Sequence, residues 1–284
     1  MRSVSARRFV RKMRGGAQAH LLKCDGGLHY VVKFSNNPQG GRRILLNEII
    51  SSVLMKRLGI LTPEIAVVNV DSDFIKANPE VLLSWGPNQK FAPDVGPHFG
   101  SLHVGGALPA TVFDFLPDTI LPEVVNREHF FGALAFDKWV SNADSCQVVF
   151  HRARIKTKRL GCPSVGWLAQ FIDRGLAFQG RHWTFHDSPI QGIYGRRIVY
   201  GPKPLLHDFD FWVNAIEEIH QNLFLERVFA LLPHAWIEGQ EGELQRVLDR
   251  LQGRSKRIPE LMAGTVKCLQ AMPERRVPYP SRCA

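Results

Sequence analysis

Asp173 ends an apolar run, Phe171-Ile172, and is followed at once by Arg174-Gly175. A carboxylate leaving a strand into a glycine turn is well placed to meet a metal ion, because glycine lets the backbone fold back without a Cβ in the way. Upstream, Asn142-Ala143-Asp144-Ser145-Cys146-Gln147 gathers two amides and a carboxylate. Asn and Asp are also ordinary turn residues, so Asp144 alone is ambiguous. Two carboxylates and an amide brought together across a hairpin form an oxygen-rich set that suits Mg²⁺, with Asp173 the metal-binding carboxylate. Lys33 sits mid-strand in Tyr30-Val31-Val32-Lys33-Phe34 and needs an anionic partner or an exit to solvent. Glu48 lies on a largely apolar helix, where a carboxylate is costly unless paired, and Lys33 is the obvious partner. A lysine that clamps phosphates while a helix glutamate holds it is one arrangement used for phosphoryl transfer. Gly15-Gly16-Ala17-Gln18 adds a turn whose N–H groups could approach phosphate, although the same pair also makes plain hairpin turns.

The elements that must position these groups follow from the hydrophobic pattern. Residues 4–14 and 17–23 read as extended segments around Gly15-Gly16. Leu28 to Phe34 alternates as a half-buried strand. Arg42 to Leu58 reads as a helix closed by Gly59, and Glu64 to Val70 as another strand. Residues 71–111 carry little pattern and several Pro and Gly; an irregular insertion is expected, with one strand near Leu102. Thr111 to Leu116 reads as a connector. Asn126 is the expected N-cap of a helix running to about Ser141, with Glu128 in its first turn. A hairpin follows, Gln147 to Arg154 out and Gly166 to Asp173 back, with a basic turn between. A loop-rich stretch reaches Leu206. The rest is helical, with stripes at Trp212, Ile216, Ile219 and Leu223, at Leu244, Val247, Leu248 and Leu251, and at Leu261, Val266 and Leu269. An irregular tail is expected from Pro273. The expected fold class is α+β, with a β-rich lobe over residues 1–116 and a mainly helical lobe over 117–284.

Composition narrows the partners. The 284 residues are 45% hydrophobic and 22% charged, an ordinary globular balance rather than that of a disordered chain. The net charge of +10 favours anionic partners: nucleotide, nucleic acid or acidic lipid. The first fourteen residues hold Arg2, Arg7, Arg8, Arg11, Lys12 and Arg14 and no acid. Such a start can be a transit peptide; here it runs straight into a glycine turn and reads as a first strand. No apolar stretch approaches the roughly 18 residues of a membrane helix. The five cysteines are scattered without a Cys-x-x-Cys pair, which argues against a disulfide framework or a zinc site and fits a reducing cytoplasm.

The order of glycine turn, Val-Val-Lys33-Phe, helix Glu48, Asn142-x-Asp144 and Ile172-Asp173-Arg174-Gly175-Leu176-Ala177-Phe178 resembles the HipA-like kinases. The last motif is also similar to that of the type II phosphatidylinositol 4-kinases. The resemblance covers most of residues 10–230. It implies a bilobal protein-kinase-like fold that binds ATP with Mg²⁺. Carried over by position, it implies that Gly15, Gly16 and Gln18 line the nucleotide, that Lys33 contacts phosphates, and that Glu48 braces it. Asp144 becomes the catalytic base and Asp173 a metal ligand, while Asp114 and Phe115 lie in the hinge beside adenine. One position departs: those families place an asparagine five residues after the catalytic aspartate, where this chain has Val149, leaving Gln147 as the substitute ligand. The resemblance thus implies a kinase for a Ser/Thr hydroxyl of a protein, with a regulatory protein partner allowed. A pseudokinase that holds nucleotide without turnover, and a lipid or small-molecule kinase, are the alternatives.

Overall fold

The computed structural model describes residues 1–108, 111–155, 164–219 and 224–272. The turn of the expected hairpin, the tail from Pro273, Leu223 of the first helical stripe, and Cys162 and Cys283 lie outside the described residues.

The N-terminal lobe is a closed barrel. Its strands are β1 (Arg2–Lys12), β2 (His20–Cys24), β3 (His29–Lys33), β4 (Ile65–Val70) and, after β5 (Leu83–Gly86) and β6 (Gln89–Phe91), β7 (Gly96–Leu102). The barrel order is β1-β2-β3-β7-β4, closed by parallel pairing of β1 with β4 and otherwise antiparallel. Alternation puts Val4, Ala6, Leu22, Cys24, Tyr30, Val32, Ala66 and Val68 inside. The stretch expected to be irregular therefore holds a short helix, α2 (Ser72–Ala77), the β5–β6 hairpin, and in β7 a full stave of the barrel. Its Gly96-Pro97 entry and Gly100 mask the strand pattern.

Helix α1 (Arg42–Arg57) has eight consecutive buried residues from Ile44 to Ser51. A helix buried on all sides sits between layers rather than on a surface. Its apolar side chains belong to the same core as the helical lobe, so the two lobes share one hydrophobic interior through α1. Lys56 and Arg57 in the last turn and Gly59 at φ +74° end it.

In the second lobe, α3 (His129–Trp139) is the buried axis. Packed around it are α4 (Asp210–Ile219), α7 (Glu241–Ser255) and α8 (Ile258–Ala271), with α5 (Phe224–Ala230) and α6 (His234–Ile237) completing the described helices. Trp212, Ile216 and Ile219, and Leu244, Val247, Leu248 and Leu251, are buried. The hairpin β9 (Val148–Ile155) and β10 (Ser164–Phe171) is joined by β8 (Val112–Phe113) into a three-stranded sheet. The connector is thus tied to the second lobe. Asn126 does not cap α3, which starts at His129 without an acid in its first turn. Its amide instead pairs with the Ala169 backbone in both directions, at 2.8 and 2.9 Å, and fixes the approach to α3 on β10. No described helix is long and apolar enough to cross a membrane.

Candidate active site

Strand β3 and helix α1 meet the end of β10 at one buried ion cluster. The Lys33 ammonium bonds Glu48 Oε1, and Asp173 Oδ1 lies 2.5 Å from the same nitrogen. Lys33 and Glu48 are buried, whereas the Asp173 side chain is 45% exposed. The second Glu48 oxygen accepts the Arg174 backbone N–H at 3.1 Å. Burial opposes the Lys33 ammonium, but Glu48 and Asp173 outweigh it and hold its pKa above the ordinary value. Burial also works to raise Asp173, and Lys33 overcomes it, so this carboxyl stays below its usual range. Burial, and the like charge of Asp173, raise Glu48 against the pull of Lys33. Two carboxylates share one ammonium, so the cluster has an excess negative charge at its exposed end.

Backbone geometry holds Asp173 there. It adopts a left-handed φ of +57°, an uncommon conformation for a non-glycine residue. At Gly175 a Cβ would stand 2.7 Å from Ile44 Cγ2 and 3.2 Å from Glu48 Oε1. Only glycine lets the chain pass so close to α1.

The Asp144 loop is laced to the same turn. Ile172 N–H donates to Gln147 O (3.1 Å), Ala143 N–H to Leu176 O (3.0 Å), and Phe178 N–H to Val140 O (2.9 Å). The half-buried Asp144 carboxylate accepts the Ser145 N–H at 2.8 Å and the Gln147 amide at 3.4 Å. Val149 sits in β9 opposite Gln170, part of the ladder.

Three residues that the sequence reading passed over support this arrangement. Asn47, fully buried beside Glu48, aims its Nδ2 at the carbonyls of Gly175, Ala177 and Gly180 at 2.8, 3.0 and 3.0 Å, and accepts the Trp183 indole N–H at 2.8 Å. Asp137 and Arg174 form a buried ion pair at 3.2 Å, and Asp137 also accepts from the Asn142 amide at 3.1 Å. Burial pushes the Asp137 carboxyl up to about 6, with Arg174 opposing. For Asn47 and Asp137 the available signal was the polar residue amid apolar helix neighbours, as it was for Glu48; Arg174, in the turn after β10, had no such signal.

The glycine turn is present, with Gly15 at φ +112°. Gln18 is not directed into the cluster. Its side-chain amide pairs with the Ser84 backbone at 2.7 and 2.8 Å and anchors the β5–β6 hairpin. Asp114 is exposed, and the Phe115 ring lies 4.2 Å beneath the Arg196 guanidinium. Among the described residues, no hydrogen bond or ion pair joins either to the Lys33 cluster. A cavity of about 210 Å³ lies behind the Asp144 loop, lined by Lys138, Ser141, Asn142, Asp187 and Arg254 among others. It is separate from the ion cluster.

The donor set at Asp173 is one exposed carboxylate, and the Gln147 amide is turned toward Asp144 and Ser145 at 3.4 and 3.5 Å. Among the described residues, no group of three or more His, Cys, Asp or Glu could hold a metal. Such a sparse oxygen set fits a hard cation that keeps waters and takes phosphate oxygens, as Mg²⁺ does.

Comparison with solved structures finds the Helicobacter pylori proinflammatory kinase CtkA at 10% identity, covering 93% of this chain and 95% of that one, with a TM-score of 0.47. The Golgi casein kinase is similar at 10% identity, 95% and 74% coverage and a TM-score of 0.43. The Golgi casein kinase with Mn/ADP bound gives 10%, 97% and 75%, and 0.44. No curated protein matches the chain. The family model for HipA-like kinases matches residues 7–148, half of the chain, a span that includes Lys33, Glu48, Asp144 and Gln147. With the barrel, the helical lobe and the shared ion cluster, this match means that the chain belongs to the HipA-like kinase family.

Proposed function

We propose that the protein transfers the γ-phosphate of ATP to a Ser or Thr hydroxyl of a protein substrate. The observation that carries this reading is the buried Lys33 ammonium, held between Glu48 and the half-exposed Asp173. Glu48 fixes the ammonium, and Lys33 draws in phosphate oxygens. Asp144, half-buried and oriented by Ser145 and Gln147, takes the proton of the acceptor hydroxyl. The hydroxyl oxygen then bonds to the γ-phosphorus, the bond to the bridging oxygen breaks, and ADP leaves. Mg²⁺, held by Asp173 and the Gln147 amide oxygen, would neutralise charge on the phosphates. The chain itself supplies positioning and fixed charge, which is most of what phosphoryl transfer requires.

Labelled ATP with Mg²⁺ tests this through autophosphorylation and transfer to a generic protein acceptor. Asp144→Asn should reduce the rate at least about 100-fold, within the range for loss of a positioned acid–base group, and Asp173→Asn by a similar factor through loss of charge stabilisation at the phosphates. Wild-type rates in both variants would refute the reading. One observation favours a second reading, a nucleotide-binding module without turnover: Gln147 donates to Asp144, and Val149 is locked into β9. Thermal stabilisation by Mg-ATP without phosphate transfer would select that reading.

A further inference from the structure

The outer wall of the barrel carries a row of basic side chains that phosphoryl transfer does not use. Arg8 on β1 is directly opposite Lys23 on β2, and Lys23 is directly opposite His29 on β3. Directly opposed residues project on the same side of a sheet. Leu22 and Cys24, on either side of Lys23, point into the barrel core, so the row faces outward. His103 continues it, its backbone N–H donating to His29 O at 2.8 Å. With neighbouring strands ~4.8 Å apart, four positions span roughly 14 Å. Arg11, opposite Leu21 on the same face, reaches toward Ala107 O at 3.5 Å. Burial first, and then Lys23 and Arg8, hold the His29 imidazole below its ordinary pKa; burial and then Arg11 do the same to His103. These groups share one field.

No acid answers it. Asp25 is the sole Asp or Glu in residues 1–32, and it is taken by Arg7 and by the Ser5 N–H. Like charges directly opposite each other on a sheet are destabilising. A bound polyanion would reverse that repulsion.

We propose that this face of the barrel, built on Arg8, Arg11, Lys23, His29 and His103, docks the phosphate backbone of a double-stranded nucleic acid. The barrel is closed, so it offers no free strand edge on which a peptide could pair its backbone. The row contains no Phe, Tyr or Trp on which an unpaired base could stack. What the wall presents is the charge of Arg8, Arg11 and Lys23 flanked by two imidazoles, and charge is what a duplex backbone reads.

The test is fluorescence anisotropy of the full-length protein with arbitrary-sequence duplex DNA and duplex RNA of about 20 base pairs, the two arms separating the sources of phosphate. Three contacts, from Arg8, Arg11 and Lys23, give a slope of log affinity on log salt of about −2.7, or roughly a 40-fold loss between 50 and 200 mM. The triple variant Arg8→Ala/Arg11→Ala/Lys23→Ala should bind at least about 10-fold more weakly at 50 mM with a slope near zero. A control removing the same charge from the exposed helical surface, Arg246→Ala/Lys256→Ala/Lys267→Ala, should keep wild-type affinity. Lys23→Glu alone should also weaken binding, which covers poor folding of the triple variant. The proposal is overturned if the wild type binds neither duplex, if both triple variants lose affinity equally, or if an acidic peptide displaces the duplex at equal concentration. Phosphotransfer should be unchanged in the barrel variants.

Discussion

Replacing Asn47 with alanine should loosen the ion cluster more than its small volume suggests. The amide has two N–H donors aimed at three carbonyls, those of Gly175, Ala177 and Gly180, and its oxygen takes the Trp183 indole N–H. Alanine leaves the indole and at least two carbonyls without a partner in a site where Asn47 is 0% exposed. A buried polar group stripped of its partner costs about 1–3 kcal/mol. Three such groups, partly relieved by water entering the space, give about 3–5 kcal/mol, a large share of the roughly 5–15 kcal/mol that holds a typical domain. Urea unfolding followed by circular dichroism measures it. Asn47→Asp separates the two halves of the network, because it keeps the acceptor for Trp183 but presents oxygen to the three carbonyls. That carboxyl would have a raised pKa in the fold. Its stability relative to the wild type should therefore be best below about pH 4 and be lost as the pH rises. On the proposed function, both variants should raise the KM for ATP, since the carbonyls that Asn47 holds lie two to seven residues past Asp173. An Asn47→Ala protein within about 0.5 kcal/mol of wild type would refute the reasoning.

Gly175→Ala should reduce phosphotransfer at least about 10-fold, because its Cβ would stand 2.7 Å from Ile44 and 3.2 Å from the Glu48 carboxylate; an unchanged rate would mean that this turn does not set the position of Asp173. Arg174→Met should destabilise by about 3–5 kcal/mol by leaving Asp137 buried and unpaired, and adding Asp137→Asn should restore most of it in the same urea titration. Burial pushes the His98 imidazole down to about 4, and its Nδ1 accepts the Ser35 N–H at 2.9 Å. Its contribution is complete above pH 6.5 and should be lost progressively as the pH falls from 6.5 to 4, by about 3 kcal/mol, in a pH series of thermal melts. His98→Gln should flatten that slope.

What the sequence disclosed was mostly local. Lys33 and Glu48 stood out because a charge among apolar neighbours must find a partner, and the structure supplies each to the other. Asp173 stood out for its glycine turn, which lies against α1. Neither signal reports partners far along the chain. Asn47 and Arg174 act through contacts with residues more than twenty positions away, so their roles appear only once α1, α3 and β10 are packed. The β7 strand was hidden by its own requirements, since glycine and proline at a tight barrel wall look like loop. Gln18 was placed in a phosphate loop by its glycine turn and the family resemblance, and Asn126 at a helix cap by residue type. Their amides bond strand backbone instead, a use that no local pattern distinguishes from the other.

The fold's division of labour follows from where its cores lie. The barrel closes on its own interior, yet α1 buries its apolar side chains with the helical lobe. Arg43 reinforces this from the same helix, pairing with Glu243 on α7, donating to Gln240 at 3.0 Å, and lying 4.5 Å over Trp183. The Trp236 indole on α6 donates to Pro97 O on β7 at 3.1 Å and ties the barrel itself to that lobe. Glu48 therefore rides on a helix whose position is set by the lobe that carries Asp144 and Asp173. Lys33 comes from the barrel and closes the contact. Moving α1 outward would expose the apolar face from Leu45 to Met55, strip Asn47 of its four partners and break the Lys33–Glu48 pair at once. Each of these losses is unfavourable, and they would occur together. Cooperative loss of that kind ties the ion cluster to the packing of α1 against the helical lobe.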